Sequence, residues 1–247
     1  MRIKLTVSYD GSLFNGFQAQ PLGGVNIKTV AGTLQKALEK LHIQSPLVGS
    51  GRTDAGVHAS GQIVHCDIPE HWVDLEKLRY YLNRSLEPSI YIRHIQHVPE
   101  SFNARFDATK RLYRYVMYDT HHYQPFLAQY ALHTPPLDCE RLRMIAKAFE
   151  GKHNFSFFKK MGGGKTGDIR TIFKVNVYRH KSFVILTFLG DAFLRSQIRM
   201  ITDMILKVHH HELTLEDLIL QRDHEKRTST TLVPACGLYL SKIYYTI

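Results

Sequence analysis

The sequence predicts an α+β protein made of two β-α-β-β-α-β halves of the ferredoxin-like kind. Three observations predict it: alternating or β-branched apolar strands, helical stripes of which three follow a capping residue, and the recurrence of one order of elements in both halves. Placed edge to edge, the halves form one broad, mainly antiparallel sheet with helices on one face and the other face open. The boundary falls between 104 and 105, giving halves 1–104 and 105–247. The duplication rests on element order alone, since the two halves share no repeated sequence.

Each element follows from local chemistry. Arg2–Tyr9 alternates Ile3, Leu5, Val7 and Tyr9 with Arg2, Lys4, Thr6 and Ser8, which is the period of a half-buried strand. Asp10-Gly11 ends it, and Thr29 then caps a helix with Val30, Leu34, Ala37, Leu38 and Leu41 on one stripe. Pro46–Val48 leads into a glycine-rich turn, and Gln62–Asp67 follows as a strand. Asp74 caps a helix carrying Leu75, Leu78, Tyr81 and Leu82, and the β-branched run Ile90–Val98 closes the first half. In the second half Leu112–Tyr118 is a strand. Asp138 caps a helix with Leu142, Ile145, Ala146 and Phe149 inward, and Gly151 sits at its C′ position. Strands at Thr171–Tyr178 and Phe183–Leu189, a helix over Leu194–Val208 and a strand at Leu238–Tyr244 complete the order.

Bulk properties narrow the partners. The chain of 247 residues carries 32 Lys+Arg against 22 Asp+Glu, a formal +10, with pI near 9.5. So basic a domain is suited to a polyanion, because each phosphate it neutralises releases condensed counterions. The 13 Tyr and 13 Phe add rings on which unstacked bases lie, although most must build the core. There is no run apolar enough for a membrane span, and MRIKLTVSYD goes straight into the first strand, so the chain reads as cytoplasmic. Cys66, Cys139 and Cys236 form no C-x-x-C pair and read as small buried hydrophobes.

The chemistry concentrates in Gly49–Asp67, GSGRTDAGVHASGQIVHCD. Its glycines allow tight turns that present Asp54, with Arg52 two residues before it, between two apolar stretches. A solvated hairpin turn is the plainer reading of the same residues. Other motifs fail on their spacing. Gly49-x-Gly51 meets Asp54 where a dinucleotide fingerprint needs glycine, and Gly164-Lys165-Thr166 has Lys159 where a P-loop needs its first glycine. Met161–Gly167 reads instead as a mobile basic loop. His209-His210-His211-Glu212 lacks metal-ligand spacing and suits a helix C-terminus. Two further features stand out. Arg195 and Arg199 are spaced to share a face near the start of the Leu194–Val208 helix, and Tyr113-Arg114-Tyr115 puts aromatic and basic side chains on opposite faces of a strand.

The stretch GRTDAGVHASGQIVHCD closely resembles the signature of the TruA family of tRNA pseudouridine synthases. YDGSLFNGFQAQ, LNRSLEPSIYIR, SFNARFDATKRLYRYVMYD, DIRTIFKV, DAFLRSQIRMI and ACGLYL follow in the family's order, so the resemblance spans essentially the whole chain. It implies two α+β halves with an active cleft between them, isomerisation of uridine in the anticodon arm of tRNA, and a homodimer with one RNA bound across both subunits. It implies no cofactor, metal or nucleotide. Asp54 matches the family's catalytic aspartate, Arg52 the arginine that helps hold the target base out of the stack, Tyr113 the tyrosine that packs on that base, and Arg199 the arginine that pairs with the aspartate. The chain departs from the pattern at Phe17, where the family has tryptophan, at Asn103, where it has histidine, and at Ser196-Gln197-Ile198, where it has H-M-V. The reading from another class is a non-catalytic RNA-binding module that uses the same basic sheet.

Overall fold

The computed structural model describes residues 1–18, 27–160 and 167–246. In chain order the described residues form β1 (Arg2–Tyr9), α1 (Val30–Glu39), β2 (Val48–Gly49), β3 (His58–Asp67), α2 (Leu75–Leu86), β4 (Ile90–His97), β5 (Ala108–Tyr118), β6 (Leu132–His133), α3 (Cys139–Ala146), β7 (Gly151–Asn154), β8 (Ile169–His180), β9 (Phe183–Gly190), α4 (Gln197–His209), α5 (Leu215–Arg222) and β10 (Leu238–Tyr245). They divide into two compact units, the first holding Met1–Thr109 and the residues from Leu240 onward, the second Lys110–Tyr239. The fold is mixed α and β, and the strands pair antiparallel within each unit except where β6 runs parallel to β5.

In the first unit β1 lies between β3 and β4, antiparallel to both, and β2 joins β3 through Val48↔His65 and Gly49↔Val64. The order β4-β1-β3-β2 is that of the expected split-βαβ unit. Ile3, Leu5, Val7 and Tyr9 are buried on one side of β1, as the alternation requires. The helices begin where the capping residues place them. The Thr29 hydroxyl accepts the Gly32 N–H and the Asp74 carboxylate the Lys77 N–H, each satisfying a donor that the first helical turn leaves open. α1 stops at Glu39, so Leu41 lies in the turn beyond it, and Tyr81 of α2 is 41% exposed rather than part of the core. α1 and α2 pack on each other, and α2 also packs on β4. On the side of β1 away from Ile3 and Leu5, Lys4, Thr6, Gly61, Ile63, Arg93 and Lys242 line a shallow groove of about 440 Å³. Burial lowers the pKa of Lys4, whose ammonium lies 5.6 Å from the rings of both Phe102 and Tyr245.

In the second unit the strands run β5-β9-β8-β7, with Tyr113 opposite Phe188 in the β5–β9 register. α3 packs on β8 and α4, and is capped as expected by Asp138, whose carboxylate accepts the Glu140 and Arg141 N–H groups. Gly151 has φ +109 but opens β7, after a 3-10 turn over Lys147–Phe149. Three elements were absent from the sequence reading. β6 and β7 have two and four residues, too few to display a period of two, and α5 buries only Leu218 and Gln221. α5 is announced instead by a capping box in which Thr214 and Asp217 satisfy each other's backbone N–H groups. Cys66 is buried as expected, which pushes its thiol pKa up to about 12, whereas Cys139 and Cys236 are only half-buried.

A surface-to-core ion pair fixes the end of β5. Asp119 accepts from both terminal nitrogens of Arg179, at 2.8 and 2.7 Å, and from the Leu137 N–H at 2.9 Å. These bonds, the guanidinium first, hold the Asp119 carboxyl down to about 2. A depressed carboxylate adds stability that is complete above the unfolded pKa of about 3.9 and disappears as pH falls through the folded value. Asp119→Asn is therefore expected to lower unfolding free energy by about 1 kcal/mol at pH 7, a figure discounted because solvent reaches Arg179. The deficit should shrink between about pH 4 and pH 2, which urea titrations of both proteins across that range will measure.

Candidate active site

The loop from Gly49 to His58 is held on its β3 side by a buried glutamine. The Ser50 hydroxyl donates to Gln62 Oε1 at 2.5 Å, Gln62 Nε2 donates to the Gly51 carbonyl at 3.1 Å, and the Ser50 N–H reaches the Ile63 carbonyl at 2.8 Å. Beyond that clamp exposure alternates: Arg52 is exposed, Thr53 buried, Asp54 half-buried and Ala55 exposed. The turn then closes through the Val57 N–H, which donates to the Asp54 carbonyl at 3.2 Å, with Gly56 at φ +76. Arg52 and Asp54 thus share one short loop of the first unit, as the glycine spacing predicts.

A segment some forty residues earlier in the chain grips the other side of this loop. The Tyr9 hydroxyl lies 2.8 Å from Thr53 Oγ1, the Phe17 N–H donates to the Thr53 carbonyl at 3.1 Å, and the Gly56 N–H donates to the Phe14 carbonyl at 3.4 Å. The Gly11 N–H donates to His58 Nδ1 at 3.0 Å, and the Asp10 carboxylate lies 3.3 Å from the same nitrogen. The approach is close enough to exclude side chains. A Cβ on Gly11 would sit 2.0 Å from the Val57 carbonyl oxygen, and Gly16, at φ +94, would bring one within 2.8 Å of the Thr53 carbonyl oxygen. Tyr9, Thr53 and His58 were not singled out from sequence, because a hydrogen bond between residues 44 apart leaves no local pattern.

The second unit carries the other two expected residues. Tyr113 is half-buried on β5, its ring 5.4 Å from that of Phe193 and nearly perpendicular to it. Tyr115, two residues on, is the core residue of the pair: it is fully buried, its hydroxyl donates to the Pro234 carbonyl at 2.8 Å, and burial raises its pKa. Arg114 between them is exposed, as the strand alternation requires. Arg199 is the third residue of α4, and its Nε donates to the Val233 carbonyl at 2.8 Å while its own carbonyl receives the Val233 N–H. One expectation fails here. α4 begins at Gln197, not Leu194, because Ser196 takes a left-handed conformation at φ 60, so Arg195 lies off the helix and does not share a face with Arg199.

The departures from the family pattern each have a local structural role. Phe17 is 4% exposed, and its ring fills the space a Cβ on Gly49 would need, the nearest atom lying 2.3 Å from that point. Asn103 caps its own turn, its side-chain oxygen accepting the Arg105 and Phe106 N–H groups at 3.0 and 3.1 Å. Gln197 is fully buried, and its Oε1 accepts the Leu194 N–H at 2.7 Å. His209 accepts the Asp138 N–H through Nε2 and so ties α4 to the cap of α3. No group of three His, Cys, Asp or Glu side chains suited to a metal ion occurs among the described residues. Of the run 161–167 read as a basic loop, residues 161–166 lie outside the described residues.

Most of the chain has counterparts in known proteins. The family described as tRNA pseudouridine synthase matches residues 5–107 and 145–246 of this chain. The tRNA pseudouridine synthase A of Campylobacter jejuni subsp. doylei is 38% identical over 245 residues, covering 99% of this chain and 100% of that protein. The proteins of the same name from Helicobacter pylori and Helicobacter hepaticus are 39% and 37% identical, each match covering 98% of both chains. No helix among the described residues is long and apolar enough to cross a membrane. Matched by the family model over most of its length and by relatives 37–39% identical along 98–99% of it, the chain belongs to the tRNA pseudouridine synthase family.

Proposed function

We propose that this protein isomerises uridine to pseudouridine in the anticodon arm of tRNA, as a cytoplasmic homodimer, with Asp54 as the reacting carboxylate. The observation that carries the reading is the loop itself: Asp54 stays half-exposed while the residues on either side are hydrogen-bonded to two separate parts of the chain. A side chain that is accessible on a backbone that cannot drift is what positioned nucleophilic or electrostatic catalysis requires.

The reaction breaks the N1–C1′ glycosidic bond, turns the base, and rejoins it through C5; the C5 proton leaves and N1 gains one, so atoms and charge balance. Attack on C1′, attack on the base, and stabilisation of a charged sugar all draw on an ionised carboxylate, and Asp54 supplies it. The base must first leave the stack, at a cost of a few kcal/mol. Arg52, exposed at the loop, serves as the wedge, and the half-buried ring of Tyr113 stacks on the extruded uracil, worth about 1–3 kcal/mol. Arg199 is assigned, on the sequence match, as the guanidinium partner of the carboxylate; a charge-assisted pair of that kind favours its ionised form. Phosphate contacts fall to the basic groove of the first unit, with Lys4, Arg93 and Lys242.

Three measurements test this. Asp54→Asn keeps the shape and loses the charge, so tritium release from C5-labelled uridine in tRNA should fall to background while filter binding of tRNA is retained; turnover by the variant removes Asp54 from the chemistry. If bound tRNA came back unchanged from the wild-type protein as well, the non-catalytic RNA-binding module would replace the enzyme. Tyr113→Leu should lower the rate by about 10- to 100-fold and Tyr113→Phe by much less, because the aromatic face, not the hydroxyl, holds the base; wild-type activity in Tyr113→Leu ends the stacking role. Arg93→Ala and Lys242→Ala should each weaken tRNA binding and reduce the slope of log affinity against log salt by about 1, with kcat unchanged at saturating tRNA.

A further inference from the structure

Thr53 stands between the two residues to which the reaction assigns work, and it is the one the structure holds most firmly. Its hydroxyl lies 2.8 Å from that of Tyr9, the last residue of β1, and its carbonyl accepts the Phe17 N–H at 3.1 Å. Both hydroxyl-bearing residues are inside the unit, Tyr9 5% and Thr53 8% exposed. Gly16 brings the backbone up to the Thr53 carbonyl so closely that no side chain fits between them. With Thr53 turned inward and held at two atoms, the residues beside it are left exposed, as Arg52 is, or half-buried, as Asp54 is.

We infer that Tyr9 and Thr53 are positioning residues for the isomerisation: their hydroxyl pair sets the direction in which the Asp54 carboxylate leaves the loop. The inference rests on Asp54 being the reacting carboxylate, and the pair acts through Asp54 rather than on the uridine. Direction matters because a reacting atom displaced by about 1 Å loses on the order of 100-fold in rate, although binding of the rest of a large substrate is untouched. A pair that served stability alone would leave the rate per folded molecule unchanged.

The substitutions separate the two roles. Thr53→Val keeps the branched shape without the hydroxyl, Thr53→Ser keeps the hydroxyl without the methyl, and Tyr9→Phe removes the partner oxygen from the other side. Single-turnover tritium release and tRNA affinity are measured on the full-length proteins at a temperature where circular dichroism shows all of them folded. Thr53→Val and Tyr9→Phe should each lower kcat by about 10- to 100-fold with KM for tRNA within about 2-fold, and Thr53→Ser should recover most of the rate. The double variant, Tyr9→Phe with Thr53→Val, should be no slower than the slower single one, because both changes break the same contact. Wild-type kcat in Thr53→Val and Tyr9→Phe, a loss confined to KM, or a Thr53→Ser protein as slow as Thr53→Val would each overturn the inference. Asp54→Asn measured alongside keeps the two claims apart: if it is dead while Tyr9→Phe is fully active, the positioning role fails and the carboxylate assignment stands, whereas turnover by Asp54→Asn sinks the assignment itself.

Discussion

The inward turn of Thr53 is the constraint on which the rest of the site depends. A loop rich in glycine is free to wander, since Gly49, Gly51 and Gly56 give up more conformational entropy on ordering than other residues do. That freedom is removed by hydrogen bonds from opposite sides: Gln62 of β3 on one, and Tyr9, Phe14 and Phe17 on the other. Gly49 leaves room for the Phe17 ring, and Gly11 and Gly16 let the opposing segment come up to the Val57 and Thr53 carbonyls. Buried polar groups of this kind specify a conformation so long as each finds a partner, which is why Gln62, at 0% exposure, uses both its oxygen and its nitrogen.

The same strand that delivers Tyr9 also separates the two faces of the first unit. On one side of β1 every second residue from Ile3 to Tyr9 is buried. The other side carries Lys4 and Thr6 into a groove with Arg93 and Lys242, and among the described residues no acidic side chain lines it. A cation lowered in pKa by burial, as Lys4 is, gains from an anion that restores the favoured charged form. Within this unit, then, one short strand supports the carboxylate at its end and a basic surface along its length.

The sequence announced what has a period or a cap and hid what depends on distance. β1, β4, β5 and the starts of α1, α2 and α3 were legible because alternation and a side-chain oxygen at the N-cap are local properties. Strand β3 begins at His58, four residues before the expected Gln62, since Gly61 interrupts its apolar run; a Cβ at 61 would meet the Ser241 carbonyl oxygen at 2.3 Å. Leu41 and Tyr81 fit the helical stripes by spacing yet lie beyond a helix end and in solvent, because spacing cannot say where the core stops. In the candidate site, Asp54 and Arg52 were marked by their glycines. Tyr9, Thr53 and His58 were not, since each is an ordinary strand or loop residue until the fold brings its partner to it.

The start of α4 shows how a departure from a family pattern can be read physically. With Ser196 in the left-handed region, its side chain makes no cap to the helix, and the first turn would be left with open donors. Gln197 folds its carboxamide oxygen back onto the Leu194 N–H, ahead of the helix, and its Nε2 is then buried without a partner. An orphaned buried donor costs about 1–3 kcal/mol, roughly what the new hydrogen bond and the ordered turn return. A methionine there would avoid the orphan and give up the bond. α4 starts two residues ahead of Arg199, and the Arg199 Nε meets the Val233 carbonyl from the third helical position.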